Sequence, residues 1–148
     1  MSTPERRTLE IEGVDAIMPE VDRLTAGHAT VGRWTFAQIC DHLTKSINLS
    51  LDLPPAVEPP TREQAVYRRL FFRSRTFPED QDLAHPSQEP GTGLEIGETV
   101  EALRNAVERL AAHDGPFAAH PVLGPMSREE WLRFHARHAA HHLSFVVG

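Results

Sequence analysis

Thr35-Phe-Ala-Gln-Ile-Cys-Asp-His-Leu-Thr-Lys-Ser-Ile-Asn-Leu-Ser-Leu51 decides the fold class. Thr35 and Gln38 match a capping box, in which the threonine side chain takes a free N–H of the first turn and the glutamine reaches back to the cap. Phe36, Ile39, Leu43 and Ile47 then form a stripe that drifts by only about 20° at 100° per residue, as a helix with one buried face requires. Pro54-Pro55 stops the run.

Other helices lie on either side. Val14, Ile17, Val21 and Leu24 recur at helical spacing, with Gly27 as the stop and Pro19 expected to kink or delay the helix. Before them, residues 7–12 alternate apolar and polar and read as a short extended arm. Val100, Leu103, Val107 and Leu110 give a helix from about Thr99 to Ala112, ended by Asp114-Gly115. Ser127-Arg-Glu-Glu130 is another capping box and opens a last helix running to about Phe145. Between residues 52 and 97, prolines at 54, 55, 59, 60, 78, 86 and 90 mark a long connection. Inside it, Thr61-Arg-Glu-Gln64 opens a short helix through Tyr67, Leu70 and Phe71. Four main amphipathic helices with one long crossover predict an all-α four-helix bundle. The 148 residues suit one domain spanning 1–148.

Composition narrows the function. Hydrophobic residues are 40% and charged residues 24%, as in globular proteins that need no disulfide. One cysteine, Cys40, allows no internal disulfide and fits a reducing cytoplasm. Neither a signal-peptide run nor a membrane span is readable. The net charge of −6 disfavours nucleic acid, and the local cluster Arg68, Arg69, Arg73 and Arg75 reads as a solvated helix face. A single lysine against many arginines is associated with GC-rich bacterial genomes. Nine histidines are the oddity.

On the last helix, with His135 at zero, His138 falls near 300° and His142 near 340°, inside the apolar stripe that holds Trp131, Ala139 and Phe145. His141 falls near 240°, at the margin. Each neutral imidazole carries a donor and an acceptor that must be satisfied out of water, and a metal ion satisfies one nitrogen from each. His138 and His142 stand at i and i+4, about 6 Å apart along the axis, a spacing that chelates one ion. On its own helix His42 sits about 100–120° from the stripe centre, so spacing alone reads it as a boundary residue. Asp41 and Glu130 fall on the wrong faces to serve as a general base, and Cys40 reads as a small core residue.

Trp34-Thr-Phe-Ala-Gln38-Ile-Cys-Asp-His42-Leu resembles the second-helix motif of DinB-like proteins, and His138-Ala-Ala-His141-His142 resembles their fourth-helix motif. The closer likeness is to a subfamily of uncharacterised bacterial proteins within that superfamily. It is carried by Arg6–Leu9, Trp34–His42, His113–Pro116, His120–Pro125 and Glu130–Phe145, nearly the whole chain. The resemblance implies an up-down-down-up bundle with the crossover between helices two and three. It also implies a divalent metal held by His42, His138 and His142. His135 reads as either a neighbour of the site or a buried hydrogen-bonding residue, the second being favoured, and His120 as a structural loop residue.

Three neutral histidines leave coordination positions open, which is the catalytic rather than the structural pattern. The resemblance favours a metal-dependent thiol S-transferase using a bacterial low-molecular-weight thiol. A metal-dependent hydrolase and a non-catalytic, stress-associated metal-binding protein are the alternatives. Zinc and nickel lead among the metals, with iron next, because histidine suits all of them. Similar bundles often form homodimers, although no interface is readable.

Overall fold

The computed structural model describes residues 7–74 and 89–148, so Arg6, Arg75, Pro78 and Pro86 lie outside the described residues. A 3-10 turn at Val14–Ala16 leads into helix α1 (Ile17–Thr25). Strand β1 (Ala29–Thr30), helix α2 (Phe36–Asp52), helix α3 (Arg62–Arg73), helix α4 (Ile96–Ala112), helix α5 (Arg128–Leu143) and strand β2 (Val146–Val147) follow. The described chain is mostly helical, with little sheet, consistent with an all-α fold.

All three capping boxes read from the sequence are present. Thr35 accepts from the Gln38 N–H, Thr61 from the Gln64 N–H and Ser127 from the Glu130 N–H, and each partner side chain returns to the cap. These bonds satisfy first-turn N–H groups that no helical carbonyl reaches, and so fix where α2, α3 and α5 begin. Pro19 falls in the first turn of α1, where its missing N–H breaks no helical bond. Helix α4 starts three residues before the expected Thr99, because Ile96 packs against the core.

Helix α2 packs along α4 and also meets α5, while α1 meets both α4 and α5. Ile17, Val21 and Leu24 of α1, Phe36 and Leu43 of α2, Leu103 and Leu110 of α4, and Leu143 of α5 share one core. Each such side chain contributes about 1.5–3 kcal/mol when fully buried. Helix α3 sits differently. Phe71 is buried, but Val66, Tyr67 and Leu70 face outward. Its anchors are Arg137 donating to the Phe71 carbonyl at 2.7 Å and Arg68 donating to the Pro125 carbonyl at 3.2 Å.

Residues 7–12 form an arm but no strand. The Arg7 N–H donates to Ser144 O at 2.8 Å, and its guanidinium donates to Val146 O at 2.7 Å and Leu143 O at 2.9 Å. Carbonyls at the end of α5 are thereby satisfied by a cation, as the helix dipole favours. Strands β1 and β2 pair antiparallel, Ala29 with Val147 and Thr30 with Val146. That pairing was not expected from the sequence, because two-residue strands carry no readable alternation. No described helix is long and apolar enough to cross a membrane.

Candidate metal centre

Helix α2 buries more than one stripe. Besides Phe36, Ile39, Leu43 and Ile47, it buries His42, Ser46 and Ser50, a second row at four-residue spacing. This corrects the boundary reading of His42, which is only 1% exposed. The first stripe is only part of the core face, because α2 has two neighbours, α4 and α5, and is covered over a wider arc.

His42 meets the α5 histidines nitrogen to nitrogen. Its Nε2 lies 3.0 Å from His138 Nε2, and His142 Nε2 lies 3.1 Å from the same atom. The candidate ligand atoms of the three residues all lie within 4.8 Å of one another. His42 and His138 are buried, and His142 is partly exposed. Burial, aided by the neighbouring His142 and His42, pushes the His138 ring well below the usual imidazole range, so its lone pair stays free of a proton.

Each Nε2 carries either a proton or a lone pair. His138 Nε2 faces two others, so a proton can join it well to one of them but not to both. A cation suits three lone pairs together, and imidazole nitrogens about 2.0–2.1 Å from one ion stand roughly 3 Å apart. The cluster could therefore hold a metal ion. Among the described residues it brings together no cysteine or carboxylate.

Among the described residues, His135, His120 and His113 are hydrogen-bonded outside the cluster. His135, 2% exposed, lies 3.0 Å from Ser50 Oγ through its Nε2. That hydroxyl gives its only proton to Ile47 O at 2.6 Å, so His135 must be the donor in their bond. Burial, with His120 nearby, pushes the His135 ring down to about 3. His120 Nδ1 accepts the N–H groups of Val122 and Leu123, and the backbone of His120 bridges to Gly124. Gly124 has φ of 78°, in the left-handed region that favours glycine, so the His-Pro-x-x-Gly-Pro motif is a turn. His113 Nε2 lies 3.0 Å from Pro116 O, which closes the His-Asp-Gly-Pro turn.

Cys40 is fully buried, and its thiol is pushed up to about 12 by that burial and by Asp41, which removes it as a nucleophile. Asp41 pairs with Lys45 at 2.9 Å and accepts the Gly91 N–H at 3.0 Å, away from the cluster. Glu130 is engaged in the α5 cap. His141 is partly buried beside His142 and Phe145. Besides Phe134, whose ring stacks on His138 with centroids 5.5 Å apart, two residues were missed as neighbours of the histidines. Trp34 packs on His42 and His142, with ring centroids 4.9 and 5.3 Å apart. Ser50 holds His135. The four-residue row from His42 through Ser46 to Ser50 was the signal for the serine.

Fold and site together define a mostly helical protein with a buried three-histidine cluster. The chain belongs to the family described as Protein of unknown function (DUF1569), whose model matches residues 3–148. Neither the curated proteins nor the solved structures contain a match to it.

Proposed function

We propose that this protein is a DinB-like four-helix bundle that binds a divalent metal ion through His42, His138 and His142 and joins a low-molecular-weight thiol, through its sulfur, to an acceptor. The observation that carries this reading is the convergence of three histidine Nε2 atoms on a buried point, 3.0 and 3.1 Å from the central one. The packing of α1, α2, α4 and α5 around one core and the long connection between α2 and α4 support the bundle.

Three neutral ligands supply no negative charge. A buried dication then keeps its full formal charge, and an anionic ligand is its natural complement. A thiol loses its proton near pH 8.5 in water and more readily beside a cation, so a thiolate meets that need. A bound metal ion would supply Lewis acidity there, and zinc or nickel suits the all-nitrogen donor set. The chain's part is to hold the three rings, keep His138 unprotonated and exclude water through the burial of His42 and His138. In the transfer, sulfur gives an electron pair to an electrophilic carbon of the acceptor, the leaving group departs with the old bonding pair, and the thiol proton passes to solvent. A free thiol partner and one buried cysteine both suit a reducing cytoplasm.

Metal analysis of the purified protein tests the first half, with about one ion per chain expected in wild type and none in His138→Ala. Undiminished metal in the variant overturns the ligand set. Thiol-conjugation assays with several bacterial thiols test the second half, and metal-loaded protein that conjugates none of them overturns S-transfer.

A further inference from the structure

Trp34 stands immediately before the Thr35 cap of α2. Its backbone is held from both sides. Thr35 is fixed by the capping box, and the Val31 N–H donates to Phe145 O at 2.9 Å just beyond α5. The indole packs on two rings of the cluster. It lies nearly parallel to the His142 ring, 23° between planes with centroids 5.3 Å apart, and is tilted 50° over His42 at 4.9 Å. Both separations fall in the range of productive aromatic contact, about 4.5–7 Å. His142 is the one member of the triad with appreciable exposure, so it is the ring most in need of a wall.

Building on the metal reading above, we propose that Trp34 is the positioning residue of this metal centre. Its indole fixes the ring plane of His142 before an ion arrives, and stacks more strongly on His142 and His42 once they share the charge of a bound dication. The physics has two parts. A ring already held in place loses less rotamer freedom on binding. The negative face of an indole also attracts an electron-poor ring more than a neutral one. Trp34 thus favours the loaded site over the empty one, and closes the flank by which bulk water would reach His142.

The test is a competition titration with zinc, using wild type, Trp34→Ala, Trp34→Phe and His138→Ala, paired with tryptophan fluorescence during cobalt(II) addition. Removing a partner that orients a ligand weakens metal binding about 10–100-fold, so Trp34→Ala should bind zinc at least about tenfold more weakly. Trp34→Phe keeps a stacking face and should stay within about threefold. The protein has two tryptophans, and cobalt should quench Trp34, so Trp34→Phe should lose most of the quenching seen in wild type. A role in folding alone would lower the melting temperature of the metal-free protein without moving zinc affinity. Wild-type affinity in Trp34→Ala, beside a His138→Ala that binds none, overturns this inference and leaves the metal reading standing. No zinc binding by wild type overturns both. If Trp34→Ala does not fold, undiminished cobalt quenching in Trp34→Phe overturns the inference.

Discussion

Helix α5 carries two buried histidine groups, and they are built on opposite logic. His138 and His142 turn their Nε2 atoms toward one another and toward His42. His135, less than one turn before His138, turns its Nε2 to a serine hydroxyl whose own proton goes to the backbone. His138 and His135 share a helix stripe, deep burial and a depressed basicity. What separates them is what each nitrogen faces. A nitrogen facing oxygen is satisfied by a proton, whereas nitrogens facing nitrogens are satisfied together by a cation. Among the described residues, His135 Nδ1 and Trp131 Nε1 have no hydrogen-bond partner, one an acceptor and the other a donor on the same helix. A buried water is the usual remedy for such a pair, so this second group has a bland explanation.

The largest expected contrast comes from cutting each group on its α2 side. His42→Ala should lower zinc affinity by about 100-fold or more, since a ligand is gone, while Ser50→Ala should leave it within about twofold. Equal losses in the two variants would merge the groups into one site.

Acidification should strike metal-free protein through His138 and His120 as well as His135, because burial depresses all three, and His135 illustrates the sign. The His135 ring ionises near 6.5 in the unfolded chain and near about 3 when folded. Its contribution is therefore intact above pH 6.5 and is lost as pH falls, because only the unfolded chain takes up the proton. The slope approaches about 1.4 kcal/mol per pH unit between these limits. Urea unfolding of metal-free protein at pH 7 and pH 5 reads their combined contribution, and an unchanged free energy would mean that these rings are hydrated.

Ser50→Ala should itself cost about 1–3 kcal/mol at pH 7, because the His135 N–H then loses its buried acceptor. Thermal melts should show this with metal content unaltered. The smallest effect is expected outside both groups. Lys45→Ala removes a surface pair with Asp41 and should change stability by under about 1 kcal/mol, with no change in metal content.

Much of this was legible in the sequence because it is local. The caps at Thr35, Thr61 and Ser127, the stripe of α2 and the i, i+4 pair His138 and His142 each depend on a few neighbouring residues. The rest depends on partners far along the chain. A helical wheel gives angles about one axis and cannot say that α2 has two neighbours, so it makes His42 a boundary residue, and only the family resemblance puts His42 among the candidate ligands. Trp34 acts from outside any helix, where periodicity carries no information. The β1–β2 pair is too short to alternate.

The Arg7 clasp has a consequence for how the chain folds. Its guanidinium reaches across 139 positions to Val146, and β1 and β2 join segments almost as distant. Such contacts give nothing back until nearly the whole chain has been drawn together, whereas each helix can begin from its own cap. The slow step of folding should thus be closure of this circle, with the helices forming early and the clasp sealing last. The rings of His138 and His142 share a helix and approach each other early, but His42 joins them only when distant parts of the chain have met.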